Sequence, residues 1–357
     1  MRLGRRVRPA ASRYAAVVPP YYPGIAPRNP IAAQRRPATC CTQNSTGSTL
    51  TPMGATVNVN GRVFDQEHAV ISVFDHGFLY GEGVYETLRT YNGELFLLDR
   101  HIRRLRASAS MLALTVPLTD GEIASRFQET MAAAAIGPGG PEAYLRILVT
   151  RGIGELTYDP AACPAPSIVV IAKPLEELPE EMYRRGVKVA LVDIVRNHPG
   201  SVNPIIKSNN LLNNALGMQE AVRRGAFEGV MRNYRGELAE CTTANLFVVR
   251  NGEALTPPID AGLLAGITRE FVLETGASVG IEVREAVLKD ADLLEADEAF
   301  LTSTTREILP IVQVDDRAIG SGRPGLVTAA LLAAYRNGAR KSTVGMAGGV
   351  AAAAPSH

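Results

Sequence analysis

Lys207 stands in the run Asn203-Pro204-Ile205-Ile206-Lys207-Ser208-Asn209-Asn210, between an apolar stretch and an expected helix. An amine flanked by Ile205 and Ile206 is partly desolvated, which favours the neutral form that attacks a carbonyl carbon. A lone lysine is more often a surface residue with its stem along apolar neighbours, so Lys207 gains meaning from its companions. Glu240 precedes the small polar run Cys241-Thr242-Thr243, which leads into an apolar stretch. A carboxylate there can keep a heteroaromatic ring nitrogen protonated, although by itself it serves equally as a turn or cap residue. Two further segments suit an anion. Gly266-Ile267-Thr268 opens an expected helix, where free N–H groups and the helix dipole favour a phosphate, although a plain helix start reads the same way. Ser303-Thr304-Thr305 follows an expected strand and offers hydroxyl and backbone donors to the same anion.

The elements that must hold these groups are mixed. Asn60-Gly61 between Val57–Val59 and Arg62–Phe64 predicts a hairpin, and Asn92-Gly93 before a strand over Leu95–Leu98 predicts another. Ile102, Leu105, Ala109 and Leu112 fall at helical spacing within Asp99–Leu114. Strands are expected at Ala143–Thr150, Ser167–Ala172, Val187–Val195, Glu228–Met231, Asn245–Val249, Glu298–Leu301 and Ile308–Val314. Helices are expected over Asn209–Arg224, ended by Gly225, and over Ile267–Ser278. Strands and helices are segregated as much as alternated. That predicts an α/β chain of α+β type, with a small domain over 53–172, a linker over 173–179 and a larger domain over 180–340 on a mixed sheet.

The chain has 357 residues, 46% hydrophobic and 20% charged, with net charge +1, which is globular composition and no bulk electrostatic footprint for nucleic acid. No apolar run reaches the ~20 residues that span a bilayer. Cys40, Cys41, Cys163 and Cys241 form neither a CxxC pair nor a disulfide framework, and the five histidines show no HExxH; a reducing, cytoplasmic compartment and no metal site are expected. Gly81-Glu82-Gly83 is not followed by the rest of a dinucleotide-binding glycine pattern. Residues 1–52 carry arginines from Arg2 to Arg36, several prolines and no acidic residue, the first being Asp65, and disorder is expected there. The segment reads as an Arg-rich transit peptide or as sequence upstream of a true start at Met53, which directly precedes Thr56-Val57-Asn58-Val59; the second is preferred. From Ser342 to His357 an Ala/Gly-rich tail is expected, with 341–357 disordered.

The order and spacing of Lys207, Glu240, Gly266–Thr268 and Thr304–Thr305 resemble the class IV aminotransferases, from about Val57 to Tyr335. The resemblance includes Asp75-His76-Gly77-Phe78-Leu79-Tyr80-Gly81-Glu82-Gly83-Val84-Tyr85-Glu86 and His101-Ile102-Arg103-Arg104-Leu105. It implies the D-amino-acid-aminotransferase-like fold, pyridoxal 5'-phosphate as cofactor, and a homodimer or larger assembly. It further implies Lys207 as catalytic residue. Cofactor binding falls to Arg104, Lys207, Glu240, Leu264, Gly266, Ile267, Thr268, Ser303 and Thr304, and substrate binding to Tyr85, Tyr144, Arg146 and Thr305.

Within the family, Tyr144-Leu145-Arg146 matches the Tyr-x-Arg of branched-chain aminotransferases, where the arginine meets the side-chain carboxylate of glutamate. The implied reaction moves an amino group between L-leucine, isoleucine or valine and 2-oxoglutarate. D-amino-acid aminotransferases trap the α-carboxylate with an Arg and a His where this chain has Leu156 and Tyr158. Aminodeoxychorismate lyases share the Glu240–Phe247 run, so lyase chemistry remains an alternative, as does a binding homologue without catalysis. Two departures from branched-chain enzymes are Ser303-Thr304-Thr305 in place of Gly-Thr-Ala, and Leu211 where many carry a tyrosine.

Overall fold

β1 (Thr56–Val59) and β2 (Arg62–Asp65) form the first hairpin, with Asn60 and Gly61 at φ 48° and 92°. Those are the left-handed values that an Asn-Gly loop adopts without strain. After α1 (His76–Leu79) come β3 (Gly83–Tyr91) and β4 (Glu94–Leu95), joined by Asn92-Gly93. The second expected strand is thus cut short: Leu97 turns left-handed at φ 52° and Leu98 begins α2 (Leu98–Met111). This helix ends before the expected Leu114 because Ala113 also turns left-handed, at φ 49°. Then follow α3 (Asp120–Ala133), β5 (Ala143–Thr150) and β6 (Ser167–Pro174), the last taking two residues of the expected linker. The six strands make one antiparallel sheet in the order β2-β1-β6-β5-β3-β4. Its inner face packs Leu88, Leu145 and Ile147 against Leu105 of α2 and Ile123 and Phe127 of α3.

The second sheet follows α4 (Glu180–Arg185) and begins with β7 (Val187–Leu191), which a crossover through α5 (Leu212–Arg223) connects to β8 (Glu228–Arg232). β7 and β8 are parallel neighbours, so this is a strand–helix–strand unit, and its loop beyond the carboxyl end of the first strand is where open sheets bind ligands. β7 stops four residues before the expected Val195, as the chain leaves the sheet to bring Arg196 to Glu240. α5 starts three residues after the expected Asn209, whose N–H is instead given to the carbonyl of Gly83 in β3.

The remaining elements are β9 (Leu238–Cys241), β10 (Asn245–Arg250), β11 (Glu253–Thr256), α6 (Ile267–Thr275), β12 (Val283–Glu285), α7 (Asp290–Leu294), β13 (Glu298–Ser303), β14 (Glu307–Val314), β15 (Arg317–Ala318) and α8 (Leu326–Val344). The sheet order is β12-β11-β10-β13-β14-β7-β8-β9, with β15 on β14. α6 and α8 cover one face, where Phe247, Phe300, Phe271, Leu331 and Tyr335 are packed together.

This computed structural model describes residues 54–344. The expectations for 1–52, and for the tail from 345, lie outside the described residues; α8 itself continues to Val344, past the start of the expected tail. Among the described residues no helix is long and apolar enough to cross a membrane.

Candidate active site

One cavity of about 340 Å³ gathers every site residue expected from the sequence: Tyr85, Arg104, Tyr144, Arg146, Lys207, Glu240, Leu264, Gly266, Ile267, Thr268, Ser303, Thr304 and Thr305. The pleat of the small sheet explains its first wall. In β5 the residues Leu145, Ile147 and Val149 are buried, so Tyr144 and Arg146 point to the other side. Arg146 pairs in register with Thr87 of β3, two residues from Tyr85, and its guanidinium lies 4.1 Å from the centre of the Tyr85 ring. The Nε of Arg146 is buried without a hydrogen-bond partner.

Lys207 faces the same ring, with Nζ 4.4 Å from its centre. Backbone bonds fix that placement. Tyr85 N–H donates to the Lys207 carbonyl (3.0 Å) and the Lys207 N–H donates to Ser108 Oγ (3.1 Å). The lysine therefore lies in a tight turn held to β3, with Ser208 N–H donating to the Ile206 carbonyl (2.8 Å), and its amine and the Arg146 guanidinium both approach the Tyr85 ring.

Glu240 is the penultimate residue of β9 and is buried at the cavity wall. Arg196 Nε donates to one carboxylate oxygen (2.7 Å) and the Leu264 N–H to the other (3.1 Å). Burial pushes the Glu240 carboxyl above its ordinary value, while Arg196, the Leu264 N–H and Lys207 pull it back. Asn245 supports the same turn by donating to the Leu264 carbonyl (2.9 Å). Gly266 is required beside it, since a Cβ there would meet Asn245 Oδ1.

The opposite end suits an anion. Gly266 caps α6 with extended backbone (φ −70°, ψ 131°), so the N–H groups of the first turn are open to the cavity side of the helix start. Ser303 Oγ and Thr302 Oγ1, both in the cavity wall, are buried without partners. Such orphaned donors fit a phosphorylated group. Arg104 reaches this region from α2, donating to the Ala265 carbonyl (2.7 Å) and, through Nε and Nη2, to both oxygens of Glu86 (2.7 and 2.8 Å).

Glu86 is buried and also bonded to His101 Nδ1 (2.7 Å). Burial raises its pKa, but the charge and hydrogen bonds of Arg104, with the bond to His101, overcome that and hold it at about 2. Burial also pushes the His101 imidazole down, against the pull of Glu86. Folding thus favours ionised Glu86. Its contribution is complete above about pH 4.5, the unfolded value, and is lost as pH falls through about 2. Glu86→Gln is expected to lose roughly 3–5 kcal/mol at neutral pH by leaving Arg104 unpaired. In urea unfolding against pH, its deficit should shrink below pH 4.5; a constant deficit would contradict the assignment.

The motifs quoted above contain Glu86, His101 and Asn245 without revealing these contacts, and no sequence motif points to Arg196 or Arg306. Arg196 sits among Ile194, Val195 and Asn197 with no periodic pattern, and its partner is 44 positions away. Arg306 donates to fully buried Glu228 (2.8 Å) and to Thr243 Oγ1 (2.6 Å) at the cavity wall.

A half-buried amine, an enclosed carboxylate and an anion cradle around one cavity between two sheets define a group-transfer enzyme of two-sheet architecture. Residues 83–314 match the family described as amino-transferase class IV. A putative branched-chain-amino-acid aminotransferase of Methanocaldococcus jannaschii is 38% identical over 281 residues, covering 79% of this chain and 95% of that protein. A D-alanine aminotransferase of Bacillus licheniformis is 34% identical over 278 residues, covering 78% and 95%. The solved structure of the Escherichia coli branched-chain amino acid aminotransferase superimposes with TM-score 0.76 at 29% identity, covering 81% of this chain and 95% of that one. The chain belongs to the class IV aminotransferases, which use pyridoxal 5'-phosphate.

Proposed function

We propose that the protein is a pyridoxal-phosphate aminotransferase that moves an amino group between a branched-chain L-amino acid and 2-oxoglutarate. The observation that carries this reading is Arg146. Its buried, unpartnered Nε lies in a wall that also contains Ile206, Leu211 and Val202. Arg104, Arg196 and Arg306 of the same wall are bonded to protein groups, so the Arg146 guanidinium is the one left to donate to the side-chain carboxylate of glutamate, with the apolar residues leaving room for an aliphatic side chain. Leu156 and Tyr158 carry no positive charge to meet an α-carboxylate, which argues against a carboxylate trap of the D-amino-acid type.

Lys207 would hold the cofactor through Nζ, and the same Nζ, when free as the neutral amine, would take a proton from the substrate α-carbon and return one. Pyridoxal phosphate, when bound, supplies an electron sink for the charge that develops at that carbon. Glu240 keeps the ring nitrogen protonated, with Leu264 and Arg196 orienting its carboxylate. Arg104, the start of α6 at Gly266, Ile267 and Thr268, and the Ser303-Thr304 hydroxyls hold the phosphate. Tyr85, Tyr144, Arg146 and Thr305 line the substrate side. This reading retains the expected cytoplasmic setting and a division into a small domain, linker and larger domain at 53–172, 173–179 and 180–340.

The test is the absorbance spectrum of the purified, cofactor-loaded protein with single amino acids. Bleaching by L-leucine and L-glutamate, with glutamate formed from 2-oxoglutarate, is the expected result. Bleaching by D-alanine alone, or pyruvate release from aminodeoxychorismate without transamination, would overturn it.

A homodimer is part of the same reading. Val73, Phe74 and Phe78 are exposed beside Ile153, Leu156 and Tyr158. Backbone bonds from His76 N to Gly152 O (2.9 Å) and Gly154 N to Phe74 O (3.3 Å) hold the two segments together as one apolar patch. Such a patch marks a contact surface, and a second copy of the chain is its proposed occupant. Phe78→Asp is expected to shift sedimentation from dimer to monomer; a wild-type monomer would refute this.

A further inference from the structure

The residue that closes the hairpin turn at the cavity wall has an unexpected type. β13 and β14 pair Ser303 with Glu307 and leave Thr304-Thr305-Arg306 as a three-residue loop, with Arg306 N–H donating to the Ser303 carbonyl (3.3 Å). The residue that follows this loop is left-handed, a conformation usually left to glycine because a Cβ disfavours it. It is Glu307, the first residue of β14, at φ 55°.

A cage drawn from distant elements holds Glu307 there. Its carboxylate, nearly inaccessible, accepts from Tyr91 Oη (2.7 Å) and Arg89 Nη1 (3.5 Å) of β3 and from Arg336 Nε (2.6 Å) of α8. Tyr183 of α4 lies under the Arg336 guanidinium (4.8 Å) and donates its hydroxyl to the Arg306 carbonyl (3.2 Å). The C-terminal end of the turn is thereby gripped from outside the cavity, at the Arg306 carbonyl and the Glu307 carboxylate, while Ser303, Thr304, Thr305 and Arg306 all form its wall. Strain of this kind persists only where the surroundings over-determine it.

We propose that Glu307 is a positioning residue: its caged carboxylate forces the left-handed closure that aims the Ser303–Arg306 turn at the bound anions. It touches neither cofactor nor substrate and acts through the turn. The inference rests on the aminotransferase reading of the cavity and adds to it the device that sets one wall.

The test compares Glu307→Ala, Glu307→Gly and Glu307→Gln with the wild type in three readouts: thermal midpoint, dissociation constant for pyridoxal phosphate, and KM against kcat for L-leucine and 2-oxoglutarate. Expected is at least a tenfold rise in KM and in the cofactor dissociation constant for Glu307→Ala, measured well below its midpoint. Glu307→Gly should recover part of that loss, because glycine keeps the left-handed turn without the cage; this order is the reverse of the usual effect of glycine. Glu307→Gln, which keeps the shape and part of the hydrogen bonding, should fall nearest the wild type. Lower midpoints with unchanged KM and cofactor affinity would reduce Glu307 to a structural role and overturn the proposal. If Glu307→Ala does not fold, the same comparison rests on the Gly and Gln variants. A wild type that binds the cofactor but transaminates nothing would defeat the aminotransferase reading, and the cofactor constants alone would then decide the role of Glu307.

Discussion

Lys207→Ala folds as the wild type does and transaminates at least about four orders of magnitude more slowly, since one side chain supplies both the covalent attachment and the proton transfer. Folding survives because the contacts that order this segment belong to the backbone. The Lys207 N–H and carbonyl bond Ser108 and Tyr85, and Asn209 N–H bonds Gly83 (2.9 Å); alanine keeps all three. What is lost is the stacking of Nζ on Tyr85, worth about 1 kcal/mol at a half-buried site, so the thermal midpoint moves by a few degrees at most. Cofactor affinity falls but is not abolished, because the anion cradle at Gly266–Thr268 and Ser303 is untouched. Single-turnover kinetics with L-leucine and calorimetry on the same sample check both halves. Near-normal turnover would remove Lys207 from the chemistry, and an unfolded variant would show that the side chain is needed for structure.

The same distinction between local and distant causes explains what the sequence reveals. Asn60-Gly61 and Asn92-Gly93 are legible as turns because the left-handed backbone is a property of those residues. β5 is legible because Leu145, Ile147 and Val149 alternate with residues that face the cavity. β3 is not: it carries Glu86 and Thr90 on its inner face and Arg89 on the other, buried polar groups whose partners Arg104, Glu142 and Glu307 are far along the chain. No window of sequence shows that these charges are neutralised, so the strand reads as a polar motif. α3 carries two local signals, the Thr119–Glu122 capping box and Ile123, Phe127 and Met131 at helical spacing, so this helix is legible in the sequence although it is not among the expected elements. The cavity residues were legible through the spacing of several motifs together, whereas the groups that orient them, Glu86, Arg196 and Glu307, depend on tertiary pairing.

Arg196 and Glu240 show how structural and chemical roles at this site can be separated. Both side chains are buried, 8% and 6% exposed, and removing one member of such a pair strands the other charge at a cost of roughly 3–5 kcal/mol. Glu240→Gln keeps the shape and an acceptor for the Leu264 N–H but leaves the Arg196 cation with only Asn213 Oδ1 (3.0 Å). Its midpoint should therefore drop by about 10 °C, taking a few degrees per kcal/mol for a chain of this size. Activity should drop by roughly 10²–10³, since a neutral amide cannot hold a ring nitrogen in its charged form. Adding Arg196→Gln removes the stranded cation, so the double variant should regain most of the lost stability. It should regain almost none of the activity, because the missing carboxylate is still missing. Recovery of both quantities together would mean that Glu240 serves only to neutralise Arg196. Recovery of stability alone places the carboxylate in the chemistry.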